Sequence, residues 1–193
     1  MTIGPAVLAH VFAGDAGPGA GFMHPLTGAD HLLAMFCVGV LSARIGGRAV
    51  WALPAAFVGV MLLGGILGMT GVALPASEFG IAASVLALGG LLAIGHRTPM
   101  VVGLVAAGTF GLFHGFAHGH EMPLASSPLL YAIGFLISTA GLHVLGALSG
   151  ALALCRPGGA AHLRAVGAVV SVAGLYFAAH TVGVVSAASS LTR

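Results

Sequence analysis

The chain has 193 residues, 59% of them hydrophobic and only 5% charged, with a mean hydropathy of +1.11. A soluble domain needs about a quarter of its residues charged to cover its surface. The composition therefore excludes an ordinary soluble fold and makes lipid the expected solvent. The formal charge of +2 comes from six arginines against four acids, an excess too small to point to nucleic acid.

In chain order, residues 1–19 are expected to be a signal-peptide remnant and a periplasmic N-terminal segment. Val7-Leu8-Ala9 suits cleavage before His10, although a basic leading region is absent. His10 is then either an exposed terminal residue or, as a new N-terminus, a secondary metal ligand. Apolar stretches long enough to cross a bilayer follow at about 20–43, 49–71, 78–96, 100–119, 128–154 and 163–188. The fourth is short and dense in His and Gly. The expectation is an all-α integral membrane protein of about six transmembrane helices, a single transmembrane domain over 1–193 with no soluble domain.

The arginines set the orientation. Arg44 and Arg48 fall between the first two spans, Arg97 between the third and fourth, and Arg156 and Arg164 between the fifth and sixth. With six spans these loops share one side. Glu78, His120 and Glu121 fall on the other, where only Arg193 opposes the bias. The positive-inside rule makes the arginine loops cytoplasmic and both termini periplasmic. Gly64 and Gly68, Gly111 and Gly115, and Gly146 and Gly150 are small-xxx-small pairs that allow close helix packing. The two cysteines, Cys37 and Cys155, lie in or beside spans, so a disulfide framework is not expected.

Two stretches carry chemistry. In HPLTGADHLLAM, from His24 to Met35, helical spacing puts His24, Thr27, Gly28, His31 and Met35 on one face, with Asp30 on its flank. Pro25 and Gly28 weaken the first turn, so His24 belongs at a helix start or at a break. In FHGFAHGHE, His114, His118 and Glu121 share a face at i, i+4 and i+7, while His120 projects elsewhere. Two imidazoles and a carboxylate so spaced form a metal half-site suited to nickel, cobalt, zinc or iron. At 1.5 Å rise per residue, His31 lies roughly 16 Å and His114 roughly 9 Å below the outer boundary. His180 reaches a similar level and His143 sits deeper. The two motifs are thus expected to form one site in the outer half of the bilayer.

Other residues divide between chemistry and packing. His143 is expected to hydrogen-bond a neighbouring carbonyl, and for His180 both that role and ligation stand. His120, His180, Met35 and His143 join His10 as secondary ligand candidates. Met23, Met35 and Met122 suit packing more than ligation, and Cys37 reads as a small hydrophobe. His96 reads as an interface residue, His162 as a cytoplasmic loop residue, Asp15 as an exterior loop residue and Glu78 as an N-terminal helix residue.

The His-Pro and Asp-His pairs of the first stretch, followed by Phe-His-Gly-x-Ala-His-Gly-x-Glu, resemble the two signatures of the HupE/UreJ family of nickel permeases. The likeness extends over span count, motif order and the leader region. It implies a bacterial inner-membrane protein that supplies Ni2+ for hydrogenase or urease maturation, with His24, Asp30, His31, His114, His118 and Glu121 as its metal ligands. Ni2+ or Co2+ is then the transported ion, the bilayer is the other partner, and neither a prosthetic group nor nucleic acid is expected. The sequence carries no phosphate-binding loop of the G-x-x-x-x-G-K type, so it cannot itself hydrolyse ATP. The alternative is an intramembrane zinc-dependent hydrolase resembling multi-span lipid amidases, because several histidines with acids also describe a catalytic zinc.

Overall fold

The computed structural model describes residues 18–72, 74, 76–94, 98–120, 122 and 127–191, with side chains up to residue 182. His10, Asp15, His96, Arg97, Glu121 and Arg193 lie outside the described residues, as does the segment before Pro18. The described residues form seven α-helices and no strand: α1 Pro18–Thr27, α2 Ala29–Ile45, α3 Ala49–Met69, α4 Ser77–Ala93, α5 Met100–His120, α6 Pro128–Leu154 and α7 Gly159–Leu191.

By length and composition α3, α5, α6 and the Gly159–Val182 part of α7 can cross a membrane. Their outward residues are apolar. Val101, Val105, Val169 and Val172 are all more than 60% exposed, which water would not favour and lipid does. The helix α6 begins where the sequence places it, with Pro128 in its first turn after Ser127, a position where the missing N–H costs nothing. By contrast, α4 is apolar but only 17 residues long, about 26 Å against a hydrocarbon core of about 30 Å.

The first expected span needs correction. It is not one helix but two, α1 and α2, bent by 85° at Gly28. Gly28 is extended (φ −89°, ψ 117°), and the α2 hydrogen-bond ladder restarts there with Leu32 N–H donating to Gly28 O at 2.9 Å. The supposed single face from His24 to Met35 is therefore divided between two helices.

At the centre stands α2, buried from Ala34 to Ser42 except at the part-buried Phe36. It packs along α6 and also touches α3, α4 and α5. The register shows that α2 and α6 run parallel: Met35 meets Thr139, Gly39 meets His143 and Ala147, and Val40 meets Gly150. Likewise α3 and α5 run parallel, with Phe57 against Gly111, Met61 against Gly115 and Gly65 against Gly119. The expected glycine pairs lie at these seams. Arg44, near the C-terminus of α2, donates to the carbonyls of Leu91, Leu92 and Ile94, at 3.4 Å to Leu91 and 2.5 Å to Ile94. A cation there satisfies carbonyls left free at the end of α4. The ends of α2, α4 and α6 and the starts of α3, α5 and α7 thus form one pole, which carries Arg44, Arg48, Arg156 and Arg164.

A Cβ at Gly115 would overlap the Met61 carbonyl, whereas one at Gly59 would meet nothing within 4 Å. Gly115→Val is expected to destabilise the protein by at least about 1–3 kcal/mol, and Gly59→Ala to be nearly silent. Thermal unfolding in detergent, followed by size exclusion, measures both. Equal melting temperatures would show that the α3–α5 seam does not need its glycines.

Candidate metal centre

The pole opposite the arginines gathers histidines from three helices. His24 comes from α1, His31 from α2, and His114 and His118 from α5. His114 and His118 are buried, four residues apart on one face of α5. The neighbouring face, with Gly111 and Gly115, lies against α3. The break at Gly28 brings the other two histidines to them. A Cβ on Gly28 would stand 2.9 Å from His31 Nδ1 and 3.1 Å from Asp30 Oδ1, so glycine provides the room into which the His31 ring folds.

The four rings adjoin in a row. His24 lies 4.5 Å from His118, His118 4.6 Å from His31, and His31 4.9 Å from His114, all between centroids. His31, His114 and His118 each offer a nitrogen such that the three atoms lie within 4.8 Å of one another. Nitrogens bound side by side to one ion at about 2.1 Å sit roughly 3.0–3.4 Å apart, so side-chain shifts of about 1 Å or less would close the site.

The hydrogen bonds aim the lone pairs. Asp30 Oδ1 accepts both the backbone N–H of His31 (2.8 Å) and its Nδ1–H (2.7 Å), which leaves His31 Nε2 as the basic nitrogen. Ser84 donates its hydroxyl proton to Ile81 O at 2.5 Å. It can then only accept from His114 Nε2 at 3.0 Å, so His114 Nδ1 holds the lone pair. Tyr131 Oη holds His24 Nδ1 at 2.8 Å. Outer partners of this kind fix the ring and tautomer of a metal-binding histidine. His31 Nε2, His114 Nδ1 and both nitrogens of His118 are buried with no hydrogen-bond partner among the described residues. Each such group costs about 1–3 kcal/mol. A divalent cation bound by neutral imidazoles would remove most of that cost. The donor set therefore fits a metal ion.

Of the expected ligands, the structure brings together His24, His31, His114 and His118, with Asp30 directly behind His31. Glu121 lies outside the described residues. His180 does not join them: it is exposed on α7, 6.3 Å from the Tyr176 ring. His120 is exposed and stacks on Phe116, as its spacing implies. Met35 is buried, with its sulfur accepting from Thr139 Oγ1 at 3.4 Å. Cys37 is buried, Cys155 is exposed, and both are free. His143 is a correction: it is buried, yet neither ring nitrogen bonds a carbonyl or any other group among the described residues. Ser84 and Tyr131 were not foreseen. A lone serine in an apolar helix is too common to signal a role, and a tyrosine at a span end reads equally well as an interface anchor.

Comparison with known proteins agrees with this picture. Residues 1–177 match the family described as HupE / UreJ protein. The chain is similar to Protein HupE of Rhizobium leguminosarum bv. viciae, 45% identical over 168 residues that make up 86% of each chain. No solved structure matches.

The serine supplies a direct test of the aimed lone pair. Ser84→Ala is expected to weaken Ni2+ binding by about 10–100-fold, whereas His120→Ala leaves it unchanged, both read by calorimetry on purified protein. Unaltered affinity in Ser84→Ala would remove the tautomer assignment for His114.

Proposed function

The chain belongs to the HupE / UreJ family, and from that premise we propose that it is a bacterial inner-membrane permease that takes up Ni2+, or Co2+, for hydrogenase or urease maturation. One observation carries the reading: the buried His114 and His118 and the part-buried His31 bring nitrogens within 4.8 Å of one another, and these include nitrogens with no hydrogen-bond partner among the described residues. In this reading His24, His31, His114 and His118 strip water from the cation and select it. Asp30 supplies negative charge through His31. Glu121, three residues after His118 in the sequence, is a further carboxylate ligand in this reading.

Orientation follows from charge. In this reading the arginine pole is cytoplasmic, which places the histidines in the outer half of the bilayer and, if α1–α2 and α4 each count as one crossing to make six, leaves both termini periplasmic. A divalent cation moving to a negative interior gains about 4.6 kcal/mol per 100 mV, twice the single-charge value. The membrane potential then drives uptake without ATP. The zinc hydrolase uses the same kind of histidine set, but family membership favours transport.

Radiotracer Ni2+ uptake into proteoliposomes that contain only this protein is the test. Wild type is expected to accumulate the ion when the interior is negative. Asp30→Asn should insert normally yet lose at least about 90% of the rate, as expected for an outer partner that fixes a ligand. His162→Ala should match wild type. Wild-type uptake by Asp30→Asn would end the assignment of that carboxylate.

The orientation has its own test. Reporter fusions after His120 and at both termini are expected to be active only in the periplasm, and a fusion after Arg156 only in the cytoplasm. The reverse pattern would put the histidines on the inner side and remove their role in capture.

A further inference from the structure

We propose that His143 is a second, inner ligand for the cation, divided from the outer histidines by the single ring of Phe57. The proposal rests on the permease reading above and adds to it the next step of the path.

His143 is 1% exposed, and neither Nδ1 nor Nε2 has a hydrogen-bond partner among the described residues. A histidine kept for packing would be expected to satisfy at least one nitrogen, because leaving both bare is costly in an apolar interior. No wall of the outer cluster requires it. Its position, however, continues the row of rings. From His24 through His118 and His31 to His114, successive centroids are 4.5, 4.6 and 4.9 Å apart. Phe57 follows 5.5 Å beyond His114, and His143 lies 5.2 Å beyond Phe57. The row therefore contains five imidazoles and one phenyl ring, which falls between the fourth imidazole and the fifth.

The row also has a direction. Phe135, in contact with His118 at 4.2 Å between rings, and His143 both belong to α6. Eight residues separate them, about 12 Å along the helix toward the arginine pole. One turn before His143 on the same face stands Thr139, bonded to the sulfur of Met35. Beyond Phe57, His143 lies at the floor of an open, apolar groove between α3 and α6, rimmed by the exposed Trp51, Val144 and Leu148 and extending to Val50 and Ala151 toward the arginine pole. The chemistry suits a borderline first-row divalent cation: a neutral imidazole, with a thioether and a hydroxyl one turn away. Phe57 is fully buried and lies three residues after Pro54. That proline lacks the N–H that would bond one turn back, which loosens α3 beside the ring that has to swing for the ion to pass.

The test separates binding from passage. Purified His143→Ala and His143→Leu, the second nearly conserving volume, are compared with wild type by Ni2+ calorimetry and by Ni2+ uptake per folded protein in proteoliposomes. Both variants are expected to bind Ni2+ within about threefold of wild type and to carry it at least about tenfold more slowly, as for a barrier raised along the path only. Wild-type uptake by either folded variant overturns the proposal. So does an equal fall in binding and uptake, which makes His143 a support of the outer cluster. Failure of both variants to fold makes it a packing residue. Wild-type protein that neither binds nor carries Ni2+ would instead remove the permease reading itself, an outcome recognisable before any variant is made.

Discussion

A backbone in hydrocarbon has to satisfy its own hydrogen bonds, so a helix can be interrupted only where protein covers the freed groups. The site depends on the break at Gly28, where Thr27 Oγ1 donates to the His24 carbonyl and Leu32 N–H donates to that of Gly28, with Thr27 and Ala29 exposed on either side. Helix α1, turned 85° from α2, is held against α6, with Gly21 pressed on the Tyr131 backbone and Gly134 on that of Pro18. The turn carries His24 to the side of His118, where a straight helix would have left it two turns above His31. It also makes Asp30 a first-turn residue of α2, where a carboxylate is favoured by the free N–H groups and the helix dipole. From there it accepts two hydrogen bonds from His31.

The rest of the site is held in depth by the helix seams. Contacts from Phe57–Gly111 to Gly65–Gly119 lock α5 to α3, and contacts from Met35–Thr139 to Val40–Gly150 lock α2 to α6. Both pairs are parallel, so a slip of one turn in either would move its histidines by about 5.4 Å. Backbone packing over glycine resists such a slip, because the helices meet without flexible side chains between them. Ligands from α2 and α5 can therefore occupy one layer although neither helix bonds directly to the other at the site.

Much of this was legible in the sequence because membranes simplify the reading. Long apolar runs, the Pro128 start, the arginine bias and the glycine pairs each have one physical meaning in lipid, and the helices and seams follow them. The two motifs stood out because charge and imidazole are costly in hydrocarbon. The angle at Gly28 was not legible: Pro25 and Gly28 announce a weak turn but not its direction, which tertiary contact with α6 sets. Nor were Ser84 and Tyr131, whose types are ordinary where they stand. His143 and His180 went opposite ways for the same reason. Periodicity places a residue on a face but does not say whether that face meets protein or lipid, and here α6 turns His143 inward while α7 leaves His180 exposed.

The single phenyl ring in the row has a further consequence on the permease reading. Imidazoles in close succession relay protons as readily as they bind metals. The rings do not hydrogen-bond one another at rest, but water or ring rotation joining an unbroken row from His24 to His143 would let protons follow the same potential that draws the cation inward, and the gradient would be spent. A benzene ring carries no exchangeable proton, so Phe57, between His114 and His143 at 5.5 and 5.2 Å, interrupts the relay without adding a charge or a ligand. A metal ion can cross when the ring turns aside, because donors stand on both sides of it. A proton hopping along static rings meets a gap. On the permease reading the same residue would separate two coordination steps and keep the path for the cation apart from a path for protons, which a polar side chain at that position would not do.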